Sequence, residues 1–140
     1  LNLIIKSDGL YDAIDMETSE YPGFPTDLQA QWMAMMSKAK GNSVIKENIY
    51  NDRFTHIPEL LRMGANIKLK NEAASIQGTK EIFPAPVMCT DIRASAALVI
   101  AALASKGESE ISRIYHIDRG YEEIEQKFSR LGANIKRVST

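Results

Sequence analysis

Four short segments set an aspartate beside an arginine or a helix start: Thr26-Asp27, Asp52-Arg53, Thr90-Asp-Ile-Arg93 and Asp118-Arg119. Arginine's planar fork suits two-point contacts to phosphate or carboxylate, and the free N–H groups of helix N-termini favour the same ligands. An aspartate within such a cationic rim is kept ionised and is available to take a proton. Asp27, Arg53, Asp91, Arg93 and Arg119 would together make an anion site with a base in it, if the fold gathers them. Singly, each has a plainer reading. A Thr-Asp pair before an apolar helix is a cap, and a loop arginine is solvated or held in a weak surface ion pair. Arg93 is the exception. It puts a cation in a first helical turn where the dipole already presents positive charge, so it calls for an anionic partner.

The other reactive side chains point away from chemistry. His56 and His116 stand beside element boundaries, where capping or packing accounts for them, and no His/Cys cluster has metal spacing, so neither a metal nor a cofactor is indicated. Cys89 is the single cysteine, which excludes an internal disulfide, fits a reducing compartment and reads as a small core residue. Trp32, Met33, Met35 and Met36 read as core rather than as a ligand pocket. A formal net charge of -1 over 140 residues argues against bulk attraction to nucleic acid or an anionic membrane. The apolar run 1–5 is interrupted by Lys6 and Asp8 and is no signal peptide. A chain that opens on Leu in an apolar run reads as the middle of a domain, so a piece of a longer protein is expected.

The elements that must position these residues are organised around 90–107. Between Ala94 and Leu103 only Ser95 is polar, so the pattern predicts a helix buried on all sides, with Thr90 as N-cap and Lys106-Gly107 as its close. It is too short to span a membrane, which takes roughly 20 apolar residues. Upstream, 1–6 and 11–16 have strand spacing. A helix is expected over about 27–40, with Thr26 and Gln29 spaced as a capping box, followed by a strand over 43–50. A helix over about 57–63 ends at Gly64, a hairpin joins 65–70 to 73–77, and 87–89 is a short strand.

The pattern then returns. Arg62-Met-Gly-Ala-Asn-Ile-Lys68 recurs as Arg130-Leu-Gly-Ala-Asn-Ile-Lys136, and Asp118-Arg119 echoes Asp52-Arg53, at offsets drifting from 64 to 68 residues. Two copies of a helix–strand–helix–strand unit are implied. A helix of roughly 21 Å followed by a strand of roughly 23 Å returns the chain to the level where the helix began. By that argument Asp27, Arg53, Asp91, Arg93 and Arg119 collect at one end.

Four motifs also carry a resemblance. Tyr21-Pro-Gly-Phe-Pro-Thr-Asp-Leu-Gln-Ala-Gln31, Asn51-Asp-Arg-Phe-Thr-His-Ile-Pro-Glu-Leu-Leu-Arg-Met-Gly64, Thr90-Asp-Ile-Arg-Ala-Ser-Ala96 and Arg113-Ile-Tyr-His-Ile-Asp-Arg-Gly-Tyr121 resemble the bacterial UDP-N-acetylglucosamine 1-carboxyvinyltransferases. The likeness runs from about 21 to 138, roughly the C-terminal third of that family's chain. It implies an α/β fold, part of an inside-out α/β barrel of the enolpyruvyl transferase type with buried helices and outer sheets. The chain would form the C-terminal part of one such domain, in units of about 20–85 and 86–140. It further implies a cytoplasmic enzyme of peptidoglycan synthesis, moving enolpyruvyl from phosphoenolpyruvate to the 3′-hydroxyl of UDP-N-acetylglucosamine by addition and elimination. Matched by motif, Asp27 binds and deprotonates the sugar hydroxyl, and Ile49 meets the sugar nucleotide through its backbone. Arg93 and Arg119 hold phosphoenolpyruvate, and Arg53 is a third candidate. The family's reactive-cysteine loop, a motif lysine and further arginines have no match here, and Cys89, directly before Thr-Asp-Ile-Arg, is not that cysteine. The chain by itself is therefore expected to be inactive and to need the remaining N-terminal part of the same chain. Two other readings share the observations: a 5-enolpyruvylshikimate-3-phosphate synthase-like transferase, and a non-catalytic repeat module that binds an anion.

Overall fold

The computed structural model describes residues 2–139. Its elements run β1 (Met16–Glu17), a 3-10 turn (Thr26–Leu28), α1 (Gln29–Met36), β2 (Asn42–Lys46), α2 (Ile57–Arg62), β3 (Asn66–Lys70) and β4 (Ala73–Gln77). They continue as β5 (Pro86–Met88), α3 (Ile92–Ala104), β6 (Glu110–Ser112), α4 (Tyr115–Asp118) and α5 (Ile124–Arg130). Two parallel strand–helix–strand crossovers, β1–α1–β2 and β5–α3–β6, anchor the two halves. The first sheet is then extended by the antiparallel hairpin, giving the order β1-β2-β4-β3 with Ile45 opposite Ala74 and Ile67 opposite Ile76.

One face of that sheet is dry. Ser43, Ile45 and Glu47 alternate inward while Asn42, Val44 and Lys46 face out, which is the period of a strand buried on one side. Ala74, Ile76 and Ile67 join Ile45 on the inner face, and Ala30, Met33, Ala34, Ala97, Leu98 and Ala101 cover them from α1 and α3. These alanines let the two helices run close together, so α3 lies in the middle of the molecule as its composition requires. Six successive residues of α3, from Ala94 to Val99, are buried, whereas Leu103 and Ala104 are exposed. The helix is thus buried on all sides in its first half only.

Several expected elements take another form. Residue 1 lies outside the described residues, and 2–6 form no strand: Leu3, Ile4 and Ile5 are exposed, because no described neighbour offers them a ladder. The strand expected over 11–16 shrinks to a single bridge from Asp12 to Lys40, followed by β1. The first helix ends at Met36, four residues early. Lys38 and Ala39 turn back with bonds to the carbonyls of Met35 and Met36, and Lys40 pairs instead with Tyr11 and Ala13. The capping box does not form, since α1 has no side-chain cap and the Thr26 hydroxyl is engaged elsewhere. In the second half, 133–139 carry no strand although their sequence repeats the entry to β3. Ile135 nevertheless packs against the small cluster of Cys89, Val99, Ile117 and Ile124.

Candidate active site

The start of α3 fixes the first part of the site. Asp91, not Thr90, is the N-cap: its Oδ1 accepts the N–H groups of Arg93 at 2.8 Å and Ala94 at 3.0 Å. Its Oδ2 accepts the Thr55 hydroxyl at 2.8 Å, and the Thr90 hydroxyl donates to Thr55 and accepts no helix N–H. Thr90 fails as a cap because Asp91 stands extended, at φ -155°, with its carboxylate already over the open N–H groups. Burial alone would raise the Asp91 carboxyl, but the bonds from Ala94, Thr55 and Arg93 outweigh it and hold it below the usual aspartate range. Beside it lies His56, buried with its Nε2 3.1 Å from the Met33 sulfur. Burial lowers this histidine to about 4, against the opposing pull of Asp91 and of a backbone bond at Arg53. His56 is therefore neutral near pH 7 and ties the start of α2 to α1.

The cation in the first turn of α3 has its partner. Arg93 Nε lies 2.5 Å from Asp27 Oδ1, joining the second half to the 3-10 turn before α1. Arg53 Nη1 approaches the same oxygen at 3.7 Å. The Arg53 guanidinium stacks over the Tyr50 ring at 4.8 Å, and its buried Nε has no partner among the described residues. Asp27 itself is open to solvent, with a side chain 62% exposed. Asp27, Arg53 and Arg93, from three separate motifs, are thus brought onto one carboxylate at one end of the fold. Two positive charges share this one carboxylate, so the cluster carries a net positive charge, with Arg93 partly open to solvent and Arg53 largely buried.

Arg119 precedes a tight approach of its segment to the start of α3. A Cβ at Gly120 would lie 2.0 Å from Ile92 Cδ1, so the segment after α4 passes directly against the first turn of α3. Tyr121 Oη then stands 3.5 Å from Gln31 Nε2 on α1. Arg119 is exposed, and no described side chain bonds it. Its neighbour Asp118 is taken by Arg137, at 2.7 and 3.0 Å, which also contacts Glu125. These bonds hold Asp118 low and leave Arg119 as the open charge of its pair.

Ile49 is half-exposed, but its N–H is used internally, donating to Glu47 Oε1 at 2.9 Å. Glu47 is the residue that motif reading missed. It is wholly buried and accepts Thr18 Oγ1, Thr26 Oγ1 and the N–H groups of Ile49 and Tyr50. The sequence carried a signal for it, since Glu47 shares the parity of Ser43 and Ile45 on the inward face. Burial raises the Cys89 thiol, which stays a protonated core group, and His116 stacks on Tyr115 at 4.3 Å. Among the described residues no three metal-ligating side chains cluster, and no helix is long and apolar enough to cross a membrane.

The two strand–helix–strand crossovers, with α1 and α3 covering the inner face of the first sheet, are the fold of the enolpyruvyl transferases. The family model of EPSP synthase (3-phosphoshikimate 1-carboxyvinyltransferase) matches residues 6–128, and the chain belongs to that family. Among its curated relatives, the UDP-N-acetylglucosamine 1-carboxyvinyltransferase of Campylobacter lari is 59% identical over 125 residues, covering 89% of this chain. The protein of the same name from Acidobacterium capsulatum is 53% identical over 137 residues, covering 98%. The chain spans only 30% and 31% of the length of these two relatives. Among solved structures, the enolpyruvyl transferase NikO from Streptomyces tendae superposes with a TM-score of 0.81 at 27% identity, over 89% of this chain and 29% of that one. EPSP synthase from Acinetobacter baumannii shares the fold, with a TM-score of 0.54 at 18% identity over 71% of this chain and 23% of that one.

Proposed function

We propose that this chain supplies one wall of the cleft of a bacterial UDP-N-acetylglucosamine 1-carboxyvinyltransferase, a cytoplasmic enzyme of peptidoglycan synthesis. The observation that carries the reading is the junction of Asp27 with Arg53 and Arg93 in a chain 59% identical to a protein of that name. In this reading Asp27 takes the proton of the sugar 3′-hydroxyl, whose oxygen bonds to the central carbon of phosphoenolpyruvate as the methylene carbon is protonated by an acid from the other wall of the cleft. Loss of a proton from that methyl group then restores the double bond as phosphate leaves. Arg93 and Arg119 hold the phosphate and carboxylate of phosphoenolpyruvate, with Arg53 beside them, and stabilise the charge that moves onto phosphate as it leaves. Ile49 offers its carbonyl to the sugar nucleotide, because its N–H is already bound. The units 20–85 and 86–140 form the C-terminal part of one domain, and the other wall comes from the rest of a chain of the relatives' length.

The test is phosphate release by the full-length protein. Phosphoenolpyruvate with UDP-N-acetylglucosamine should give turnover, and phosphoenolpyruvate with shikimate 3-phosphate should not. The 140-residue chain by itself should stay at background with either pair. Turnover with shikimate 3-phosphate alone would move the protein to the other branch of the family. Turnover by the 140-residue chain would show that the catalytic groups lie within it.

A further inference from the structure

We propose that Glu47 is a positioning residue that sets Asp27, Ile49 and the Tyr50–Arg53 pair for the reaction, an inference that rests on the proposed function. A carboxylate removed from water is costly unless donors surround it. Glu47 is 0% exposed, yet four donors converge on it from three segments of the chain. Oε1 accepts Thr18 Oγ1 at 2.7 Å, Ile49 N at 2.9 Å and Tyr50 N at 3.0 Å. Oε2 accepts Thr26 Oγ1 at 3.0 Å. Thr18 is itself buried, and its hydroxyl accepts the Asn48 N–H at 2.9 Å, which closes the turn after β2.

Three of the four donors, Thr26, Ile49 and Tyr50, belong to the site or adjoin it. Thr26 precedes Asp27, so the bond to Oε2 pins the 3-10 turn that carries the proposed base. The two bonds to Ile49 and Tyr50 turn their N–H groups inward, leave the Ile49 carbonyl with no described backbone donor, and set the Tyr50 ring under the Arg53 guanidinium. One buried charge thus holds three reacting or binding groups in a fixed relation. Two of the four donors are backbone N–H groups that can only donate, so three donors share Oε1 and only an oxygen serves there. A glutamine can keep that oxygen, but its amide then faces Thr26, whose hydroxyl must accept rather than donate. Charge-assisted strength is lost at every bond, and the link to the Asp27 turn changes its sense.

The experiment uses the full-length protein, unchanged and as Glu47→Gln, Thr26→Val, Asp27→Asn and the Glu47→Gln/Asp27→Asn double variant. Initial rates are taken with phosphoenolpyruvate and UDP-N-acetylglucosamine each varied in turn. Glu47→Gln should lower kcat about tenfold while the KM for phosphoenolpyruvate stays within about twofold. In the Asp27→Asn background the same change should cost less than about twofold, because a positioner has nothing left to position. Thr26→Val, which cuts only the link to Oε2, should reproduce at least about threefold of the loss in kcat. The inference is overturned if Glu47→Gln costs the same factor in both backgrounds, or if Thr26→Val leaves kcat unchanged. Hydrogen exchange at the Ile49 and Tyr50 amides separates this failure from a failure of the functional reading. Faster exchange in Glu47→Gln in a protein that turns over neither substrate overturns the function and leaves the clamp standing, whereas unaltered exchange overturns the clamp itself.

Discussion

His56 is expected to make the fold sensitive to mild acid, and the size of the effect follows from its surroundings. The ring is buried against α1, with Met33 sulfur at 3.1 Å from Nε2, and burial lowers its pKa from 6.5 to about 4. Asp91 and a backbone bond at Arg53 favour the charged form and do not offset the burial. The unfolded chain therefore binds the proton more readily than the folded one, so stability falls as pH drops below 6.5 and the loss is complete near pH 4. At roughly 1.4 kcal/mol per pKa unit the full loss is on the order of 3 kcal/mol, of which about 2 kcal/mol is reached at pH 5. Asp91 does not share this window. Its own pKa is lowered, so its contribution is lost only as pH falls further, through its folded value. The assay is urea unfolding of the 140-residue chain followed by the fluorescence of its single tryptophan, Trp32, one residue from Met33. With an m-value of about 1.5 kcal/mol/M, the midpoint should drop by about 1.3 M between pH 7.5 and pH 5. His56→Gln, which carries no titrating ring, should lose stability at pH 7.5 but show a nearly flat midpoint over the same interval. An equally steep fall in the variant would refute the assignment of this window to His56.

Two further outcomes follow from the same structure. Arg119→Ala in the full-length protein should raise the KM for phosphoenolpyruvate roughly ten- to a hundredfold, since one charge-assisted contact of about 1.5–3 kcal/mol is lost. Arg119→Lys should recover only part of it, because lysine lacks the planar fork; steady-state kinetics reads both, and normal KM in the alanine variant would remove Arg119 from the site. Gly64 sits at φ +87° and an added Cβ would lie 2.7 Å from the Phe83 ring. Gly64→Ala should therefore destabilise by about 1–3 kcal/mol in urea unfolding, without a pH dependence of its own.

The parts that were legible in the sequence are those whose partners are also in the chain. The apolar run of α3, the hairpin of β3 and β4 with Gly64 before it, and the three motifs that meet at Asp27 all have their counterparts among the described residues. Alternation and helical periodicity report burial, and here burial is supplied locally. Residues 2–6 have strand composition but no ladder to join, so composition misled. At 26–29 the spacing of a capping box was real, yet the Thr26 hydroxyl found a buried charge 21 positions away and bonded that instead. The same competition moved the α3 cap from Thr90 to Asp91, where the side chain with the better acceptor prevailed. Glu47 was hidden for the opposite reason. An acidic residue within a strand expected over 43–50 reads as solvated, and only its shared parity with Ser43 and Ile45 marks it as inward.

Asp27 acts either as a base or only as the anionic partner of Arg53 and Arg93, and Asp27→Asn separates the two. The change keeps the size of the side chain and an oxygen for the arginines while removing the proton acceptor. Measured in the full-length protein with phosphoenolpyruvate and UDP-N-acetylglucosamine, kcat should fall by ~10²–10⁴ with modest change in either KM. A near-normal kcat, with the loss confined to KM, would make Asp27 a structural counter-ion and contradict the role given to it.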